Sequence, residues 1–172
     1  RLTSCVSTLL GLDLTSDGKV DTHDVKRLTR AQATDIFIKH YFEKPGIAML
    51  PPALQASVFD MYVNAGGNAV KILQRLFNEM GFALKVDGKL GPRSAQAADE
   101  VMQTAPDLVV DAYGIARRNF YFRLADKRKA SRKYARSRAG GKGGWITRAE
   151  EFISARFHLS TADFNKRIAS WG

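Results

Sequence analysis

A chain of 172 residues with 45% hydrophobic side chains is long enough to close one core, with room for a small appended lobe. No run approaches the roughly 18 apolar residues of a membrane span, and the single cysteine, Cys5, excludes an internal disulfide framework. A formal charge of +10 asks for an anionic partner, a description that fits nucleic acid, acidic lipid and the bacterial wall alike.

The opening residues, Arg1-Leu2-Thr3-Ser4, carry neither an initiating methionine nor a leader and read as the interior of something longer. Residues 2–12 predict a helix ending near Gly11, in which Cys5 reads as a small half-buried side chain, with no histidine setting that would make it a nucleophile. Residues 13–24 then have the spacing of a calcium loop. Asp13, Thr15 and Asp17 offer side-chain oxygens, Gly18 permits the sharp turn, Lys19 offers its carbonyl, Val20 is the apolar anchor and Asp24 closes the set. Thr15 stands where Asp or Asn is usual, and Asp24 is shorter than the common glutamate, an aspartate closure that resembles dockerin loops. The competing reading is an Asp/Gly turn held by side-chain to backbone hydrogen bonds, with no ion. His23 reads as a solvent-facing residue. Bound Ca2+, if present, would be structural, and no cofactor is expected for catalysis.

Thr29-Arg30-Ala31-Gln32 has the form of a capping box, opening a helix with Ala33, Ile36, Phe37, His40 and Tyr41 on one face. Pro51-Pro52 suits a helix start, and Leu54, Val58, Met61, Tyr62 and Ala65 stripe the stretch 53–65. Gly66-Gly67 ends it, and Asn68 is placed to cap a helix with Val70, Leu73, Leu76, Phe77 and Met80 inward, closed by Gly81. Residues 82–91 alternate and contain Asp87-Gly88, which predicts a short hairpin or a structured turn. Pro92 opens a helix through Met102. The next, 107–124, is expected to turn Leu108, Ala112, Tyr113, Ala116, Phe120 and Leu124 inward. Residues 138–144, glycine-rich and basic, predict a mobile loop, and helices over 145–157 and 162–171, the last capped at Ser160, finish an all-α fold. From Arg117 to Arg148 the only acid is Asp126.

Two segments carry a family resemblance. The first is Val58-Phe59-Asp60-Met61-Tyr62-Val63-Asn64-Ala65-Gly66 with Ala69-Val70-Lys71-Ile72-Leu73-Gln74-Arg75-Leu76, and the second is Val86-Asp87-Gly88-Lys89-Leu90-Gly91-Pro92-Arg93-Ser94. With the closing Gly143-Gly144-Trp145-Ile146-Thr147-Arg148, they resemble glycoside hydrolase family 108, bacterial and phage muramidases with a C-terminal peptidoglycan-binding region, some labelled secretion activators. Ser94 departs from the family's usual threonine, and the calcium-like insertion occurs in a subset of relatives. The resemblance implies a lysozyme-like helical region over 1–67 and a helical peptidoglycan-binding region over 68–172 packed on it. It implies hydrolysis of the β-1,4 bond between N-acetylmuramic acid and N-acetylglucosamine, in the periplasm or cell wall or from a phage. Peptidoglycan glycan strands are the expected partner.

Substrate contacts are expected at Asp60, Tyr62, Asn64, Gly66 and Trp145. Asp60 and Asn64 are four apart and share a helical face, and the small residues after them would let a sugar chain approach. Against this, Asp60 could equally satisfy buried backbone groups, a reading that weighs less for Asn64, Trp145 could be a core residue, and the Asp87 to Pro92 segment reads first as scaffold. The family's acid is a glutamate in a Glu-Gly-Gly-Tyr motif, absent here. Thr3 sits where the family has a Gly-Ile-Thr-like stretch, so that glutamate is expected upstream of Arg1. Glu43, Glu79, Glu100, Glu150 and Glu151 do not match it, so no catalytic residue is expected among these 172 and the chain alone is expected to bind glycan without cutting. The rival readings are a non-catalytic wall-binding or tail-associated module and, as the lesser one, a nucleic-acid binder using Phe120, Tyr121, Phe122 and Tyr134 among the basic residues.

Overall fold

A computed structural model describes residues 13–19 and 21–171; the helix expected over 2–12 and the anchor Val20 lie outside them. The chain forms two compact units, Arg1–Pro45 and Gly46–Gly172. Both are helical, and the described residues contain no strand, only an isolated bridge between Arg136 and Lys142. None of the described helices is long and apolar enough to cross a membrane.

In the first unit, α1 (Thr22–Arg27) opens on a capping box made by Asp21 and Asp24. The next helix, α2 (Arg30–Phe37), opens on the expected box of Thr29 and Gln32, each side chain bonding the other's backbone N–H. The chain then widens into a π-helical turn, Ile38–Glu43, across which Phe37 and Tyr41 stack with centroids 5.2 Å apart.

The second unit is built around α6 (Pro106–Lys127), against which α3 (Pro52–Ala65), α4 (Asn68–Glu79), α5 (Pro92–Thr104) and α8 (Gly144–Glu150) pack. Between α6 and α8 the chain makes a short α7 (Arg132–Ala135), and α9 (Thr161–Ile168) closes the unit. Leu54, Val58 and Met61 of α3, Leu73 and Phe77 of α4, and Tyr113 and Phe122 of α6 are sealed in its core. Proline at the start of α3, α5 and α6 sits where its missing N–H costs nothing.

Residues 82–91 form a structured turn, held by two amides of α4. Asn78 accepts from the Leu84 N–H and donates to the Leu84 carbonyl. Buried Gln74 donates to the Asp87 carboxylate and the Lys89 carbonyl, and accepts from the Gly88 N–H. Gly88, at φ +80°, lies so close to the Gly67 carbonyl that a Cβ would come within 2.9 Å of it.

Three expectations are corrected. On α6 the buried set is Val109, Asp111, Tyr113, Gly114, Arg117, Arg118, Tyr121, Phe122 and Ala125. Of the residues expected inward only Tyr113 is buried, and Leu108 is 56% exposed. Apolar residues surround this helix, so the face that wins is the one whose charged members find partners inside. Residues 138–144 form a closed turn, in which Ser137 N–H bonds the Gly141 carbonyl and Gly143 N–H bonds the Ala135 carbonyl. The helix expected over 145–157 ends at Glu150, because Asp111 accepts the Ser154 N–H and Glu150 accepts the Leu159 N–H, drawing the chain back through a 3-10 turn at Ala155–Phe157. Ser160 caps α9 as expected.

Candidate functional site

The polar centre of α3 is Asp60. One carboxylate oxygen pairs with Arg117 of α6 and the other with Arg148 of α8, whose Nε lies 2.6 Å away. Arg117 is 0% exposed, donates also to the Ser57 carbonyl and hydroxyl at 3.2 Å, and lies over the Phe152 ring at 4.9 Å. Asp60 is therefore buried and engaged at both oxygens, a brace between three helices.

One turn along α3, Asn64 is exposed, and its Nδ2 donates to the Tyr121 hydroxyl at 2.6 Å. Tyr121 is buried on α6 and stacks on the Trp145 indole, centroids 4.9 Å apart and planes within 19°. Tyr134 of α7 meets the same indole at 5.0 Å, tilted by 32°, and is itself 48% exposed. Asn64, Tyr121, Trp145 and Tyr134 thus form one continuous row, amide at one end and open phenol at the other. Of the other expected contacts, Gly66 is half-buried at the helix end, and Tyr62, two residues from both Asp60 and Asn64, projects from the opposite side of α3. Tyr121 and Tyr134 were not among the expected contacts, and the only sequence signal for them was their place in the basic stretch.

A second internal pairing sits beneath the row's turn. Buried Glu150 accepts from Arg118 at 2.9 Å, from the Leu159 N–H at 2.9 Å and from Lys142. Burial alone would raise its carboxyl, but Lys142, the Leu159 N–H and Arg118 together outweigh burial and hold it below the ordinary range. The remaining glutamates, Glu43, Glu79, Glu100 and Glu151, are exposed.

In the first unit the calcium-type loop is closed by its own donors. Asp24 is buried; one oxygen accepts from the Leu14 and Thr15 N–H groups at 2.8 and 2.9 Å, the other from Asp21 N–H at 2.8 Å. Asp13 accepts from the Thr15 hydroxyl and the Asp17 and Gly18 N–H groups, and Asp17 accepts from the Lys19 N–H. These backbone donors, Gly18 first for Asp13 and Asp21 first for Asp24, lower both pKa values. As placed, no three His, Cys, Asp or Glu side chains among the described residues converge on a common point. His23 is exposed, within 3.1 Å of Asp21.

Clefts open on the second unit, one of about 610 Å³ between the 136–141 turn and α9. Others of about 240 and 230 Å³ lie beside Asp87 and between α4 and α6. Asn64 and Trp145 line none of these clefts; the row meets solvent at its two ends, through exposed Asn64 and Tyr134.

Residues 8–66 match the family model described as Glycosyl hydrolase 108, and residues 68–150 match that described as Predicted Peptidoglycan domain. The chain joins a glycosyl hydrolase 108 region to a peptidoglycan domain. Asn64 and Asp60 belong to the glycosyl hydrolase 108 region, whereas Tyr121, Tyr134, Trp145 and Arg148 belong to the peptidoglycan domain, so the row and its brace are built by both. The structure described as that of Brucella abortus SagA is similar over 88% of this chain and 78% of its own, with a TM-score of 0.55 and 24% identity, which shows a shared fold. No curated protein matches the chain.

Proposed function

We propose that the Asn64–Tyr121–Trp145–Tyr134 row is a seat for the glycan strand of peptidoglycan, in a protein of the muramidase kind acting on the β-1,4 bond between N-acetylmuramic acid and N-acetylglucosamine. The observation that carries the reading is the row itself, shared between a glycosyl hydrolase 108 region and a peptidoglycan domain. Pyranose rings present C–H faces that pack on aromatic rings, and Tyr134 keeps ring surface open to solvent. Asn64 spends one amide N–H on Tyr121, which turns the group, and its carbonyl oxygen can accept from an N-acetyl N–H. Function of this kind is exercised at the cell wall, outside the cytoplasm.

In this proposal the 172 residues bind without cutting. An acid catalyst needs a carboxyl that stays protonated near neutral pH. Glu150 is held ionised by two cations, and the other four glutamates are exposed in water. The nucleic-acid reading loses ground for a related reason. Arg117, Arg118, Arg132, Lys142 and Arg148 of the basic stretch are all bonded to partners within the fold.

Co-sedimentation with purified insoluble peptidoglycan tests the binding half. The chain is expected to pellet with the wall, and Tyr134→Ala to weaken capture about tenfold, as for an aromatic contact at the centre of a binding surface. Failure to pellet removes the glycan reading, and clearing of a wall suspension by this chain removes the claim that it does not cut.

The loop at 13–24 is proposed as a structural calcium site on its spacing alone. Calcium at about 100 times its dissociation constant is then expected to add about 2.7 kcal/mol of stability. A melting curve unmoved by about 10 mM calcium, ample even for weak extracellular loops, leaves the loop as a self-closed turn.

A further inference from the structure

The cleft between the 136–141 turn and α9 has a chemistry that the aromatic row does not use. One wall is the turn Ala139-Gly140-Gly141, whose small residues keep the opening wide. The other is α9, which presents Thr161 and Asn165 one turn apart, with buried Ile168 beneath them and Ala169 beside it. Arg136 stands at the edge with an exposed side chain and takes part in none of the ion pairs among the described residues. Among the described residues no carboxylate lines the cleft. The nearest acid on α9, Asp163, is held by the Ser160 hydroxyl at 2.6 Å and lies two residues from both Thr161 and Asn165, on another face of the helix. A guanidinium with no ion pair among the described residues, a hydroxyl and an amide thus line one opening together with apolar side chains.

That combination suits a carboxylate on a short apolar tail. Arginine can take both carboxylate oxygens at once, and the hydroxyl and amide can donate to whichever lone pairs remain. We propose that the cleft is a carboxylate-binding subsite that receives the free carboxyl terminus of a short peptide. This rests on the reading of the chain as a wall binder, since peptidoglycan carries such peptides on its glycan strand. About 610 Å³ is room for more than a single small acid, and falls in the range of sites that enclose several residues or a drug-sized ligand. The α9 side of the cleft lies beyond residues 68–150, the span matched by the peptidoglycan domain. Tyr134 and Arg136 are two residues apart, so a strand seated on the row has the cleft within reach of a peptide branch.

The test is calorimetric titration of the whole 172-residue chain with N-acetyl-L-lysyl-D-alanyl-D-alanine, with the same tripeptide as its C-terminal amide, and with N-acetylmuramic acid. The free acid is expected to bind about tenfold more tightly than the amide, the scale of a charge-assisted pair. Arg136→Gln is expected to erase that preference, and Arg136→Lys to keep part of it. Melting curves check that both variants fold, which the exposed side chain favours. An Arg136-dependent response to N-acetylmuramic acid, absent with the tripeptide, supports a carboxylate site and reassigns its source to the sugar acid. Equal binding of acid and amide, or an acid preference that survives Arg136→Gln, overturns the proposal. A chain that pellets with the wall yet shows no acid preference retains the glycan reading and loses this one; the reverse pattern does the opposite.

Discussion

Asp60→Ala is expected to lower the free energy of unfolding by about 3–5 kcal/mol, because it strands a charge in the core. Arg117 has no exposed surface, and among the described residues its positive charge is balanced by Asp60 alone; Ser57 contributes neutral oxygens and Phe152 a ring face. Arg148 loses the same partner at little cost, since its side chain is 61% exposed and water can replace the carboxylate. Arg148→Ala should therefore stay within about 1 kcal/mol of the parent. Pairing Asp60→Ala with Arg117→Met removes both charges and should recover most of the loss. Urea unfolding of the four proteins measures all of this. A loss below about 1 kcal/mol for Asp60→Ala alone would mean that water reaches Arg117 and that Asp60 is no brace.

The next largest effect is expected at a residue with no side chain. A Cβ on Gly143 would lie 2.6 Å from the Tyr134 carbonyl oxygen, 2.7 Å from the Ala135 carbonyl carbon and 2.8 Å from the Arg136 nitrogen. These are backbone atoms, so they cannot swing aside as a flexible side chain would. The backbone at Gly143 is ordinary, φ −88°, so space alone demands glycine. Gly143→Ala must open the turn, breaking the 2.8 Å bond from its N–H to the Ala135 carbonyl and pushing the Trp145 helix away from Tyr134. The expected cost is about 1–3 kcal/mol, typical of overpacking, and wall capture should fall with it because the row is split. Gly144→Ala is the control, since nothing lies within 4 Å of its Cβ. Parent-like melting and sedimentation for Gly143→Ala would show that the turn gives way freely and that the row does not depend on it.

Much of the fold was legible wherever the determinant was local. The Thr29 and Gln32 box, the paired prolines at 51 and 52, the glycines at 66 and 67 and the Ser160 cap each act within one turn of chain, and each marks an element end. The buried face of α4 was legible over Val70, Leu73, Leu76 and Phe77, which recur at helical spacing against polar neighbours, but not at Met80, which is 42% exposed. The face of α6 was not, because it buries Arg117 and Arg118, whose partners stand 57 and 32 residues away. Hydrophobicity argues against burying an arginine until its carboxylate is known.

The same distinction runs through the site. Asn64 and Trp145 could be singled out from their own motifs, one at a helix end and one in a glycine setting. Tyr121 and Tyr134 could not, since what makes them matter is a contact 57 residues from Asn64 in one case and a shared indole in the other. The cleft beside α9 was invisible for the same reason. It exists only because a closed turn, expected to be loose, stands opposite a helix.

Arg117 and Tyr121 are one turn apart on α6, and Trp145 and Arg148 are one turn apart on α8. Brace and row are thus cast on the same two rods, with the carboxylate of α3 tying the rods together. Trp145 therefore rises from a helix rather than from a loop, and buried Tyr121, stacked against it from a second helix, fixes the angle of its ring. Little side-chain freedom is left there to surrender on association, so the entropic penalty that weakens many carbohydrate contacts should be small at this surface.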